Sequence, residues 1–377
     1  MKTLLQHIGL AALGSFLWTQ TALAQTPPAA VAAPLAATAP AVATPPPPPA
    51  VTPPRPPRLP DYIESNGLKG SLDIHDPVMI KGGDTYYLFG TYTGIKTSKD
   101  MVTWKSAGAV FGKGAKLDWW SRDIPQGAQI WAPDIHYRDG KYWMYYSVSA
   151  WMNFNSSIGL ATNTTLDPAN PAYKWEDQGE VISIRNGGEG VNAIDPNAFV
   201  DKDGKVYLLY GSFKAGLRMV ELDRKTGKPA SATPKLTVLT RSLGEGVFLV
   251  KDPDYYYIFA SRGICCKGAD STYEVVIGRS KTITGPYLSK DGGSWVDDKY
   301  SVLLAGDASE PGRGHNGIFA ENGTTYFVYH AYTKAFNFHS LLNIKPLYMG
   351  ADGWPTLEPT KTLFKMDAFE TRVFAGP

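Results

Sequence analysis

The sequence predicts an all-β protein built as a five-bladed β-propeller. Three observations lead there. A hairpin-like stretch recurs five times along the 377 residues. Each copy carries a polar residue at nearly the same distance ahead of an aromatic anchor, and no long amphipathic helix interrupts the series. A small sheet of this kind cannot bury both faces alone, so neighbouring copies stack around a common axis.

The first copy spans residues 71–92. Asp76 stands in front of the apolar run 77–80, which reads as a short buried strand. Gly82, Gly83 and Asp84 supply turn residues, and 85–89 reads as the returning strand of a hairpin. In the second copy Asp134 precedes 135–137, the turn 138–140 and the strand 141–146. In the third, Asp195 precedes 196–200, the turn 201–204 and the strand 205–210. In the fourth, Glu245 precedes 246–250, the turn 251–254 and the strand 255–260. In the fifth, His315 precedes 316–320, the turn 321–323 and the strand 324–329. The anchors are Tyr87, Trp143, Tyr207, Tyr257 and Tyr326, and the polar residue lies 9 to 12 positions upstream of each. Outer strands are expected at 94–98, 101–104 and 157–162. The third blade should end near Asp223 and the fourth near 285–287, with 342–348 and 356–364 completing the last sheet.

The innermost strand of each blade lines the channel, so a residue at its start points to the axis. A single Asp in such a place commonly caps a turn. Five polar residues in register argue instead that Asp76, Asp134, Asp195, Glu245 and His315 converge on one cup.

Composition narrows the function. The net charge is +2, with 19% charged residues and no Lys/Arg-rich run, which excludes a nucleic-acid partner. Twenty-one tyrosines and ten tryptophans suit blade cores, and ring faces also stack on sugars. At the N-terminus, Lys2, the short apolar stretch 8–18 and the small residues 21–24 read as a signal peptide over 1–24, cut after Ala24. Residues 25–60 are almost entirely Ala, Pro, Thr and Val, which makes them an extended linker. The propeller is expected over 61–377, in a secreted or periplasmic protein with no membrane span. Cys265 and Cys266 are adjacent and are the only cysteines; the residues themselves leave two thiols and a vicinal disulfide equally open.

Converging carboxylates without a serine nucleophile motif point to acid–base hydrolysis, where one carboxyl stays protonated and another ionised. Glu245 is flanked by Gly244, Gly246, Val247 and Phe248, all uncharged, which favours the protonated form and the role of acid. Asp76 is then the base, and Asp195 tunes the pair.

Several motifs carry a resemblance. His75-Asp76-Pro77-Val78, Trp131-Ala132-Pro133-Asp134-Ile135, Asn192-Ala193-Ile194-Asp195-Pro196, Gly211-Ser212-Phe213 and Gly314-His315-Asn316 resemble glycoside hydrolase family 43, and within it the endo-1,5-α-L-arabinanases. Cys265-Cys266 followed by Asp270-Ser271-Thr272-Tyr273 resembles the same subgroup. The resemblance implies a five-bladed propeller that hydrolyses α-1,5-linked arabinofuranosyl chains with inversion. It implies Asp76 as general base, Glu245 as general acid, and Asp195 as the residue that modulates and orients the acid. It implies one calcium ion on the axis, held by His315 largely through water. It places Trp131, Asp134, Asn192, Phe213, Cys265 and Cys266 on the substrate side. The partner implied is arabinan, the side chain of pectin, acted on by a monomer.

Two departures stand out. Many relatives have Glu-Ala-Pro at the acid where this chain has Glu245-Gly246-Val247. Relatives often carry Trp after Gly-Ser-Phe, and here Lys214 thins that sugar subsite. Alternatives are an exo-acting arabinanase, an α-L-arabinofuranosidase or a β-xylosidase of the same family. From another class come a non-catalytic carbohydrate-binding propeller and a protein-interaction propeller, neither of which needs both Asp76 and Glu245.

Overall fold

Runs of aromatic and β-branched residues, broken by Gly- and Asp-containing turns, fold here into short antiparallel meanders. The computed structural model describes residues 59–112, 115, 117–120, 128–151, 153, 155–185 and 191–377. The expected signal peptide over 1–24, the expected linker up to residue 58 and residues 121–127 lie outside the described residues. The described residues belong to one unit, Pro56–Pro377.

The chain enters through the hairpin β1 (Ile63–Ser65) and β2 (Leu68–Gly70). The first meander is β3 (Val78–Gly82), β4 (Thr85–Phe89), β5 (Gly94–Ser98) and β6 (Thr103–Ala109), with β2 parallel to its outer edge. The second is β7 (Gln129–Arg138), β8 (Lys141–Ser149), β9 (Ser156–Asn163) and β10 (Glu176–Ile184). The third is β11 (Asn197–Val200), β12 (Val206–Ser212), β13 (Gly216–Leu222) and β14 (Thr237–Val238). The fourth is β15 (Glu245–Lys251), β16 (Tyr256–Arg262), β17 (Glu274–Ser280) and β18 (Ser301–Leu304). Then follow β19 (Arg313–Glu321), β20 (Thr324–Thr333) and β21 (His339–Pro346). A small pair, β22 (Tyr348–Met349) with β23 (Pro355–Thr356), the helix α1 (Ala368–Val373) and β24 (Ala375–Gly376) end the chain.

Each first strand lies against the next. β3 neighbours β7, β7 neighbours β11, β11 neighbours β15, β15 neighbours β19, and β19 returns to β3. The architecture is an all-β propeller. The anchors Tyr87, Trp143, Tyr207 and Tyr257 are buried between sheets. Tyr326 is only partly covered.

Three expectations about outer strands need correction. The third meander runs past Asp223 to β14, and the fourth runs past residue 287 to β18. The last sheet is completed not by 356–364 but by the other end of the chain. Ile74 N donates to Ser340 O at 3.2 Å, Leu342 N donates to Leu72 O at 2.9 Å, and Asp73 bridges Leu341. A ring of sheets leaves two open edges where chain start meets chain end, and this exchange removes them.

The C-terminus closes the opposite end of the channel from the strand starts. Asp367 caps α1 by accepting the Phe369 N–H at 3.0 Å. Lys251, the last residue of β15, is held twice: its N–H donates to Glu370 Oε2 at 2.8 Å, and its carbonyl accepts from Asp367 N at 2.8 Å. β24 pairs in parallel with β3, and the Phe374 ring stacks on Phe248. Phe374 is 4% exposed, so truncating it leaves a cavity. Phe374→Ala is expected to cost about 3–5 kcal/mol of stability, read from the denaturant midpoint.

Candidate active site

The site is built on one repeated backbone feature. Asp76, Ala132, Asp195, Gly246 and His315 all have positive φ, between 31° and 58°. In β3 and β11 the strand begins two residues later. In β7, β15 and β19 the ladder shifts register across the same position. A left-handed residue other than Gly costs about 1–2 kcal/mol. A hydrogen bond to the preceding blade offsets much of that. Ala132 N donates to Thr91 Oγ1 at 3.0 Å, Asp195 N to Ser147 Oγ at 2.8 Å, His315 N to Ser261 Oγ at 2.7 Å, and Asp76 N to His330 Nδ1 at 3.1 Å. Each acceptor lies four residues after its blade's aromatic anchor.

The third blade breaks the rule, with consequences for the chemistry. Four residues after Tyr207 stands Gly211, at φ 135°, where a Cβ would meet the Gly216 carbonyl at 2.4 Å. No side chain is available there, so the Gly246 N–H goes to the carboxylate of Asp195, at 3.0 Å from Oδ2. This bond holds Asp195 beside the residue that precedes Gly246, which is Glu245.

Two of the five expected cup residues are out of register. The position equivalent to Asp76 in the second blade is Ala132, and Pro133 matches Pro77 and Pro196. Asp134 lies two residues further along, 3% exposed, and is absent from the cavity wall. Its Oδ2 accepts the Ala198 N–H at 2.7 Å, as Asn197 Oδ1 accepts the Leu249 N–H at 2.9 Å one blade on. Asp134 therefore fastens blade to blade beneath the cup, and burial raises its carboxyl to about 7. Glu245 precedes its register position by one residue and still reaches the cup.

Asp76, Asp195, Glu245 and His315 line one cavity of about 980 Å³, and Trp131, Asn192, Phe213, Cys265 and Cys266 line it with them. Asn192 takes part from behind the surface: Oδ1 accepts from Ser156 Oγ at 2.6 Å, and Nδ2 donates to Ser212 Oγ at 3.3 Å. Cys265 and Cys266 are disulfide-bonded to each other. Tyr92, Trp151, Phe213 and Ile264 rim the cavity, each more than half exposed. Sequence reasoning missed Tyr92, Thr91, Tyr273, His330 and Tyr332. Thr91 and His330 were visible as the residues four after an anchor; Tyr273 stands in a quoted motif.

The three acids sit in different electrostatic settings. Burial alone would raise the Asp76 carboxyl, but His75 and His315 hold it well below the usual carboxylate range. Their Nδ1 atoms stand 2.8 and 3.1 Å from Asp76 Oδ1, and Thr91 Oγ1 donates to Oδ2 at 2.5 Å. Burial raises Asp195 to about 6, against the pull of His315. Burial and the Asp195 charge raise Glu245 to about 8, although the Tyr273 hydroxyl donates to its Oε1 at 3.0 Å. Burial would lower His315, but Asp76, Asp195 and Glu245 raise it to about 9. Near neutrality the cup holds a carboxylate and a carboxylic acid in one cavity, the pair that acid–base hydrolysis needs.

His75, Asp76 and His330 bring one ligating atom each within 4.8 Å. Of their nitrogens, His330 Nδ1 accepts the Asp76 N–H and His75 Nδ1 meets Asp76 Oδ1, while His330 Nε2 is buried without a protein partner.

A propeller with these acids in its central cup is a glycosidase. Residues 70–355 match the family described as glycosyl hydrolases family 43, and the chain belongs to that family. It is 40% identical over 303 residues to an extracellular exo-α-(1→5)-L-arabinofuranosidase of Cellvibrio japonicus, covering 76% of this chain and 87% of that protein. It is 37% identical over 292 residues to extracellular endo-α-(1→5)-L-arabinanase 1 of Bacillus subtilis, covering 75% and 87%. Among solved structures, the Cellvibrio cellulosa α-L-arabinanase complexed with arabinohexaose aligns with a TM-score of 0.72 at 36% identity, over 81% of this chain and 99% of that one.

Glu245 is protonated in the fold up to about pH 8, against an ordinary glutamate value of 4.5. The stability tied to that proton is complete below 4.5 and is lost as pH rises toward 8. Glu245→Gln removes the dependence. The variant is expected to match the native midpoint of unfolding near pH 4.5 and to exceed it at pH 8 by at least about 1 kcal/mol.

Proposed function

We propose that this chain is an exported, inverting hydrolase that cuts α-1,5-linked L-arabinofuranosyl chains internally. The observation that carries the reading is the opposed protonation of Asp76 and Glu245 in one cavity. Glu245 donates its proton to the leaving glycosidic oxygen as the C1–O bond breaks. Asp76, ionised, takes a proton from the water that attacks C1 from the opposite face. The products are a hemiacetal of inverted configuration and a chain with a free 5-hydroxyl. Asp195 raises Glu245 by its charge and is itself fixed by the Gly246 N–H. His315 balances the negative charge gathered around Asp76.

Five is the blade count in this reading. Supporting it, five sheets each begin near one positive-φ residue, and their first strands close a ring. Export is supported by the leader-like residues 1–24 and by two relatives named extracellular. Among the described residues no helix is long and apolar enough to cross a membrane.

A calcium ion on the axis fits the residues beneath the cup. Asp134 Oδ1 and both amide atoms of Asn316 are buried without a protein partner, and Asn316 adjoins His315. Oxygen donors with one imidazole suit a hard cation held partly through water. His315 would hold it only as the neutral imidazole, its proton displaced by the ion, with Asp134 and Asn316 in support, and the ion would supply the positive charge that the His315 proton supplies without it. Calcium bound to the purified protein, measured by elemental analysis, is expected to fall in His315→Ala; unchanged content removes the assignment.

Terminal cleavage is the second reading, favoured by the exo-acting name of the relative at 40% identity. Hydrolysis of linear arabinan separates the two. Mixed oligosaccharides at early times mark internal cleavage, and one small product marks terminal cleavage. Asp76→Ala and Glu245→Ala are each expected to lower turnover by about 10²–10⁴-fold while remaining folded. Near-native turnover in either variant defeats the assignment of acid and base.

A further inference from the structure

The vicinal disulfide and the candidate base are joined by a chain of hydrogen bonds whose direction is fixed at one end. The Cys266 N–H donates to the Tyr332 hydroxyl at 2.8 Å. A backbone amide is only a donor, so the phenol oxygen accepts there and its own proton must go elsewhere. The other partner of that oxygen is His75 Nε2, also at 2.8 Å. Burial holds the phenol proton on Tyr332. An imidazole bearing one proton donates from one nitrogen and accepts at the other. With Nε2 accepting from Tyr332, the proton sits on Nδ1, 2.8 Å from Asp76 Oδ1.

We propose that Tyr332 is a positioning residue for Asp76: acting through His75, it ties the orientation of the candidate base to the peptide of the vicinal disulfide. Everything along this path is held from outside. Tyr332 N donates to the Gly312 carbonyl at 3.0 Å, which fixes the ring's strand. The His75 ring stacks on His330 with centroids 4.0 Å apart, and His330 Nδ1 accepts the Asp76 N–H. Cys266 has φ 63°, and its Sγ stands 3.7 Å from His75 Nε2. The disulfide closes a ring around the 265–266 peptide, so the N–H that meets Tyr332 cannot swing away. A histidine in the other tautomer would turn a bare Nδ1 toward the carboxylate, and two acceptors would face each other.

This inference rests on Asp76 being the base, and its test has one arm that does not. The imidazole nitrogens of His75 are observed by NMR in the ¹⁵N-histidine-labelled full chain, for the native protein and for Tyr332→Phe. The native ring is expected to carry its proton on Nδ1 with Nε2 bare. In Tyr332→Phe the two tautomers should mix, and kcat on linear arabinan should fall by about 10-fold or more with KM changed less than about two-fold. Cys265→Ser combined with Cys266→Ser keeps the Tyr332 hydroxyl and frees the peptide; it should show the same mixing in weaker form. Unfolding midpoints confirm that each variant is folded. A native His75 protonated on Nε2, or a folded Tyr332→Phe with native tautomer and native kcat, overturns the proposal. A native protein that releases no sugar from arabinan defeats the hydrolase reading instead, and the tautomer arm still decides the relay.

Discussion

One backbone contact organises the molecule: the N–H of a left-handed residue at the head of each inner strand, donated to the blade before it. Four of the five are accepted by a side chain four residues past an aromatic anchor. The contact aligns neighbouring sheets and makes the left-handed turn tolerable. That turn in turn aims the side chain at the axis. Packing between blades, through Tyr87, Trp143, Tyr207 and Tyr257, supplies most of the stabilisation. The five contacts settle where the axial side chains stand, and the chemistry depends on that placement.

Charge then differentiates positions that the backbone makes equivalent. Asp76 is surrounded by two imidazoles and a hydroxyl and stays ionised. Glu245 has one hydroxyl donor and a neighbouring acid, and it keeps its proton. The separation arises because His75 and His315 stand 2.8 and 3.1 Å from Asp76 Oδ1, while burial and the Asp195 charge raise Glu245. A cation placed off centre among three carboxyls cannot serve them alike, and the one it serves least becomes the acid.

Much of this was legible in the sequence, because repetition is a signal that survives divergence. The hairpins, their turns and the anchors fall where alternation and turn residues place them. Asp134 is the exception: it is an acid in an expected place, yet its spacing is discrepant. It lies 9 residues before Trp143, whereas Ala132 lies 11 before it, as Asp76 does before Tyr87 and His315 before Tyr326. Spacing is a better guide to register here than side-chain chemistry. The closure of the last sheet by residues 72–74 was not legible, since nothing local distinguishes a strand that pairs with the far end of the chain. The vicinal disulfide was equally undetermined: two adjacent cysteines have the same sequence whether bonded or free.

Glu245 standing one residue ahead of its register position has a steric cause. The equivalent position is Gly246, where φ is 58° and a Cβ would meet His315 Nδ1 at 2.9 Å. His315 must come that close if it is to reach Asp76, so the fourth blade has no room for a side chain at the position where the first, third and fifth carry Asp76, Asp195 and His315. The acid therefore reaches the cup from the preceding residue, and the vacated N–H binds Asp195. The glycine that departs from the Glu-Ala-Pro pattern is thus part of the arrangement. It admits the cation on one side and positions the tuning carboxylate on the other, and Gly211, by offering that N–H no competing hydroxyl, makes the second of these possible.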